Sequence, residues 1–133
     1  RPKIYFRDSG ILHALFALES KKDVLSHPKL GASWEGFALE EAVKVAQLKE
    51  DEVFFWGVHA SAEIDMVFQK KGQLYGVEVK YAQAPSLTLS MRSALKELSL
   101  KHLWILYPGR ESYPLDKNVT VISLADLNAL TKI

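Results

Sequence analysis

Hydrophobic and polar positions alternate with a period of two in two neighbouring stretches, Ile64 to Phe68 and Leu74 to Tyr81. Lys71-Gly72 lies between them, and together they predict a β-hairpin. Phe54-Phe55-Trp56 predicts a short aromatic strand ahead of it, and Lys3-Ile4-Tyr5-Phe6 reads as strand-like. From Trp34 to about Lys49 apolar residues recur at helical spacing, with Ser33 placed as a polar end cap. Asp8-Ser9-Gly10 offers a turn and a helix start before Ile11 to Leu18. Lys21 to Ser33 reads as irregular, because Pro28 and Gly31 interrupt it. After Pro85 a helix is predicted to about Leu98. Leu103 to Tyr107 and Val119 to Ile122 predict two apolar strands, separated by Pro108-Gly109 and other turn residues. Ala125 to Leu130 predicts a last short helix. From Trp34 the order is helix, three strands, helix, strand, strand, helix. That is an α/β fold, a mixed sheet flanked by helices. The expected organisation is a lead-in segment over 1–33 and one domain over 34–133.

The hairpin register carries the first chemistry. With Lys71-Gly72 as the turn, Lys70 pairs with Gln73, Phe68 with Tyr75, Met66 with Val77 and Ile64 with Val79. One face is then wholly apolar, which favours this register over a slip by one. The other face sets Asp65 against Glu78 and Glu63 against Lys80. Carboxylates directly opposite one another have β-carbons about 5 Å apart and repel. A divalent cation, a shared proton or exposure to water offsets that repulsion. Oxygen ligands at this separation suit magnesium or manganese. Lys80, two residues beyond Glu78 on the same face, is placed to orient or activate a water. The plainer reading is a solvated sheet face with a surface ion pair. Helices expected on both sides of the sheet argue against it, because charges kept on a covered face are usually functional.

On a wheel at about 100° per residue, the helix from Trp34 gathers its apolar side chains into one broad arc. Glu35 falls near the middle of that arc, flanked by Ala38, Leu39, Ala42 and Ala46. Glu41 sits inside it as a second candidate, and Glu40, Lys44 and Gln47 take the polar side. A carboxylate on a buried helix face needs a partner. It is either a structural ion pair, with Lys80 for instance, or a third acidic group converging on Asp65 and Glu78.

Composition narrows the classes. The chain has 133 residues, 48% hydrophobic and 25% charged, which fits one folded domain and excludes general disorder. Its net charge of +1, from 17 basic and 16 acidic residues, excludes a histone-like basic module but leaves room for a local basic patch. Lys70-Lys71, Lys96, Lys101-His102 and Arg110 are scattered and read as solvated surface. With no cysteine there is no disulfide framework, zinc knuckle or thiol nucleophile. A cytoplasmic setting fits. No apolar run approaches the roughly 18–20 residues that span a membrane. The chain opens with Arg1 rather than Met and is expected to be a fragment of something longer. The four histidines lack metal-ligand spacing; His59, in the loop before Asp65, is the one able to approach the site. Ser9, Ser61 and Ser90 have no nucleophile context.

A helix glutamate, an aspartate opening a strand and Glu-x-Lys on the next strand, in that order, resemble the PD-(D/E)xK nuclease superfamily. The resemblance implies a restriction-endonuclease-like core of helix, three strands, helix and strand. Carried over, Asp65 and Glu78 hold Mg²⁺ (or Mn²⁺), Lys80 positions and activates the attacking water, and Glu35 completes the site. The usual Pro before the aspartate is replaced by Ile64. A longer likeness covers nearly the whole chain. Tyr5-Phe6-Arg7-Asp8-Ser9-Gly10, Leu30-Gly31-Ala32-Ser33-Trp34-Glu35-Gly36-Phe37, Ala62-Glu63-Ile64-Asp65 and Val77-Glu78-Val79-Lys80 resemble the C-terminal domain, of unknown function, of a family of prokaryotic AAA+-type ATPases. That likeness implies an ATPase upstream of Arg1, since no phosphate-binding Gly-x-x-x-x-Gly-Lys motif is present, and ATP would bind only there. Relatives commonly carry a basic residue where Gly57 stands, so His59 or Lys80 would have to serve any phosphate contact in its place.

Three functions follow as expectations. The first is Mg²⁺-dependent hydrolysis of DNA phosphodiesters, with DNA and the ATPase module as partners, a homo-oligomer open to it, and no membrane. The second is a regulatory or docking domain that keeps the nuclease fold without the chemistry. The third is a metal-independent binding module.

Overall fold

The computed structural model describes residues 4–58 and 62–133. His59 and Ser61 therefore lie outside the described residues. The chain runs through helices α1 (Ser9–Leu15), α2 (Lys21–Ser26) and α3 (Leu30–Ala46), then a 3-10 turn over Glu50–Glu52. Strands β1 (Val53–Val58), β2 (Ala62–Lys70) and β3 (Gln73–Val79) follow, then α4 (Leu89–Glu97) and β4 (His102–Leu106). Strands β5 (Tyr113–Asp116) and β6 (Val119–Ile122) and a 3-10 helix over Leu124–Thr131 close it. The six strands form one mixed sheet in the order β1-β2-β3-β4-β6-β5. β1, β2 and β3 are an antiparallel meander; β3, β4 and β6 are parallel; β5 returns antiparallel on β6.

The two faces of the sheet are buried by different elements. Ala38, Leu39 and Ala42 of α3 and Leu127 and Leu130 of the last helix pack on Met66, Phe68, Val77, Val79 and Trp104. Met91 and Ala94 of α4 pack on Ile64, Val67, Leu103, Ile105 and Val121 on the other side. α4 starts at Leu89, later than the expected start after Pro85, because Thr88 accepts the Met91 N–H as an N-cap. Asp8 caps α1 in the same way, through the amides of Gly10 and Ile11.

Several sequence expectations are corrected. Helix α3 begins at Leu30, not Trp34: Pro28 stands just ahead of the first turn, where its missing N–H costs nothing. Ser33 is thus not a cap but a buried helical residue, 2.7 Å from the His13 ring. The helix ends at Ala46 because Gln47 turns left-handed at φ 55°. Residues 4–6 are not a strand; Tyr5 crosses α3 at Gly36, where an added β-carbon would stand 3.4 Å from the Tyr5 ring. The supposedly irregular stretch contains α2, which Ser20 and Asp23 hold in a reciprocal capping box. The turn region before β6 contains β5, whose Pro114 is admissible because it lies on an edge strand.

The hairpin register is as expected from Lys70↔Gln73 to Met66↔Val77, with Lys71 and Gly72 both at positive φ in the turn. It stops there, so Ile64 does not pair with Val79. Along β1, Phe54 faces Val67 and Trp56 faces Ile64, so Asp65 and Met66 together oppose Phe55 alone. That one-residue β-bulge puts Ile64 in the α4 layer while Met66 stays in the α3 layer. The expected single apolar face from Ile64 to Val79 is therefore broken at Asp65.

Candidate active site

The bulge opens β2 from β3 at one end of the hairpin, and two carboxylates fill the opening. The Val79 amide donates to Asp65 Oδ2 at 2.9 Å, and the Asp65 amide donates to Glu78 Oε2 at 3.2 Å. Side-chain oxygens thus stand where ladder carbonyls would continue the hairpin. Asp65 and Glu78 are both buried, at 9% and 4% exposure. β3 keeps its other neighbour, since the Lys80 amide donates to the Leu106 carbonyl at 2.9 Å. Lys80 Nζ lies 2.7 Å from Glu78 Oε1, with its side chain partly in solvent. The structure therefore brings Asp65, Glu78 and Lys80 together. The carboxylates meet in the gap between the strands, not on a flat sheet face as the unbroken register implies.

Burial pushes the Glu78 carboxyl up from 4.5 to about 7, the neighbouring Asp65 charge adds to it, and the Lys80 ammonium opposes both.

Glu35 is half-buried in α3 and accepts a hydrogen bond from the Tyr5 hydroxyl. Its neighbour Trp34 has its ring 6.3 Å from that of Tyr81, the residue after Lys80, so the helix touches the end of the Glu-x-Lys segment. Glu41 pairs with Lys44 at 3.0 Å on the surface, and Glu63 is exposed. Among the described residues, no three His, Cys, Asp or Glu side chains form a group ready to hold a metal. His13, His27 and His102 make local contacts with Ser33, Phe16 and Thr120.

A cavity of about 250 Å³ opens beside Asp65, between α3 and the β1–β2 edge. Tyr5, Leu39, Val43 and Phe55 line it, and so does Glu40. Sequence reasoning put Glu40 on the polar side of its helix. It missed the cavity because Tyr5 and Arg7, which flank Glu40, come from a segment 30 residues upstream and more. It also missed Ser90. The Ser90 hydroxyl accepts the Glu63 amide at 2.7 Å and donates to the Glu63 carbonyl at 3.0 Å, pinning β2 to α4 two residues before Asp65. Ser90→Ala is expected to lower stability by about 1 kcal/mol and to speed amide exchange at Glu63. Unchanged exchange at that amide counts against the clamp.

The profile described as Domain of unknown function (DUF4143) matches residues 30–127, from the first turn of α3 to the last helix. The chain belongs to this family. All four residues of the constellation fall inside the matched DUF4143 region. An uncharacterized protein of Mycobacterium tuberculosis and one of Mycobacterium bovis are each 42% identical to the chain over 121 residues. The match covers 91% of this DUF4143 chain but 27% of each relative, so the chain spans about a quarter of their length. No solved structure matches it significantly. No helix among the described residues is long and apolar enough to cross a membrane.

Proposed function

We propose that this domain is a PD-(D/E)xK nuclease-like module that hydrolyses DNA phosphodiesters with Mg²⁺ or Mn²⁺. The observation that carries the reading is the splayed end of the β2–β3 hairpin, where Asp65 and Glu78 are buried against each other with Lys80 on Glu78. A fold gains no stability from two buried like charges, so their retention points to chemistry. The donor set fits a hard divalent ion. Both candidate ligands are carboxylates, the hard oxygen donors that such an ion takes. Asp65 and Glu78 would hold the ion, with Glu35 reaching it directly or through water once released from Tyr5. A bound ion would polarise the scissile phosphate and lower the pKa of a bound water. Lys80 orients that water and stabilises charge developing on the phosphate. The Val79 and Asp65 amides keep both carboxylates aimed into the gap, so little reorganisation is left for the reaction.

The length of the relatives supports a place for this module beside further domains, and we propose an AAA+-type ATPase upstream with ATP bound only there. A second reading is a docking or regulatory domain that keeps the fold without the chemistry. The absence of a three-carboxylate group among the described residues, together with the near-neutral charge, favours it.

Incubation with linear, supercoiled and branched DNA in Mg²⁺ or Mn²⁺ separates the two. Cleavage is expected, and Lys80→Ala should lower its rate about 10²-fold. No cleavage of any of these DNAs with either ion, or equal rates in wild type and Lys80→Ala, overturns the nuclease reading.

A further inference from the structure

The two edges of the sheet are built differently. β5, at one edge, is four residues long, carries Pro114, ends in Asp116 and shifts register between them. Proline, charge and a bulge are the usual guards of an edge strand against pairing with another chain. β1, at the other edge, has none of these. Its six residues, Val53–Val58, hold no charge and no proline. The extra residue of the bulge beside it lies on β2, which leaves β1 itself regular. Among the described residues β1 pairs on one side only, with β2. Phe54, Phe55 and Val58 are 56%, 49% and 40% exposed there. Side chains alternate along the strand. Val53 and Phe55 line the cavity under α3, and Gly57 lies on the same side, beneath the Phe55 ring. Trp56 packs into the α4 layer, and Phe54 and Val58 share its side.

We propose that β1 is a dimer interface: it pairs antiparallel with β1 of a second copy about a two-fold axis at Trp56, joining the two six-stranded sheets. A two-fold axis perpendicular to the sheet keeps each face on its own side, so opposed residues come from the same face. Two registers near the middle of the strand satisfy this. Centred on Phe55, the pairing sets Val58 against the charged Glu52 of the other copy. Centred on Trp56, it sets Phe54 against Val58 and Phe55 against Gly57, so each exposed apolar side chain of the edge meets an uncharged position. That second register is the one the sequence favours. Gly57 suits it. The Phe55 ring lies over Gly57 of its own chain, where an added β-carbon would come within 2.9 Å. Phe55 of the second copy stands opposite that glycine, so the two rings meet over space that a side chain at 57 would take. The occupant is a second copy because the edge complements itself: it opposes no like charges, and its own residues supply the apolar partners. Pairing ends at the dimer, since β5 guards the far edge of each sheet.

The test is sedimentation of the chain from about 1 µM to about 1 mM, without metal or DNA, so it stands apart from the nuclease reading. A single edge strand makes a small, transient interface, so dimer should appear within that range and nothing larger. Phe54→Glu and Val58→Lys, each alone, should weaken dimerisation about tenfold, because each spoils two symmetry-related pairs. Mixed in equal amounts, the two variants should return to within about threefold of the wild type. Their opposite charges then face each other at one pair, and Phe54 meets Val58 at the other. A second measurement needs no variant. Amides of β1 should exchange more slowly at the high concentration than at the low one, while those of β5 stay unchanged. A monomer up to about 1 mM overturns the proposal and leaves β1 to a strand of another protein. Species larger than a dimer, or β1 exchange independent of concentration, overturn it as well. So does a dimer that Phe54→Glu leaves as strong as the wild type, or a mixture no tighter than the single variants.

Discussion

Asp65→Asn is expected to lose about three orders of magnitude of metal-dependent DNA cleavage while the fold stays intact or becomes firmer. The amide oxygen of asparagine can still accept the Val79 N–H that Asp65 Oδ2 accepts at 2.9 Å, so the opened end of the hairpin keeps its tie. What disappears is the buried negative charge that helps push the Glu78 carboxyl up to about 7. Removing it takes away a metal ligand and also a repulsion. In chelator the variant should therefore melt at or above the temperature of the wild type. Mn²⁺ can bind only where β2 and β3 place both carboxylates, so it binds the folded state. At 100 times its dissociation constant it should stabilise the wild type by about 2.7 kcal/mol. Asp65→Asn should gain little. Thermal melting of both proteins in chelator and in millimolar Mn²⁺ reads this directly. Equal Mn²⁺ responses would show that any metal effect arises elsewhere, and the Asp65–Glu78 pair would lose its assignment as a metal site.

The second large effect concerns pH and comes from Glu78. Its carboxyl is raised from 4.5 to about 7, first by burial and then by Asp65. In the metal-free protein the folded state therefore holds a proton on Glu78 that the unfolded chain releases between these values. The associated stability is complete below about pH 4.5 and is lost as pH rises through about 7. At one pKa unit to about 1.4 kcal/mol, the loss is about 3 kcal/mol. For a domain of this size that amounts to about 10 °C in melting temperature. Glu78→Gln cannot ionise, can still accept the Asp65 amide, and should lack this loss. Melting curves in chelator at pH 5 and pH 8, for wild type and Glu78→Gln, give the comparison. Parallel pH dependence in the two proteins would mean that Glu78 is ionised throughout and that Lys80 compensates it fully. Bound metal should abolish the wild-type loss, because it favours the ionised carboxylate.

Local patterns carried much of this protein in readable form. Alternation set the hairpin, with Lys71-Gly72 as its turn, and brought Asp65 level with Glu78 and Lys80. Helical spacing located most of α3. These were legible because period and turn chemistry act over a few residues and depend little on what packs above. α2 was missed although its Ser20–Asp23 capping box is local, because Pro28 and Gly31 outweighed it in the pattern. β5 is short and defined by its pairing to β6, so nothing in its own four residues separates it from a turn.

Tertiary structure decided the rest, and the site above all. The bulge at Asp65–Met66 lies in the pairing of β2 with β1, and the pairing of β2 with β3 ends at Met66↔Val77 beside it. It moved Ile64 to the α4 layer and turned a pair on a sheet face into a buried pair in a gap. That burial, with the Asp65 charge beside it, raises the Glu78 pKa. The cavity needs Tyr5 laid across Gly36, and the Ser90 clamp joins residues 27 apart in sequence. Such contacts depend on how whole layers dock, which the order of residues along one element does not encode. The sequence by itself therefore determined which carboxylates and which lysine meet. Packing determined how deeply they are buried, what they bond to and what space lies beside them.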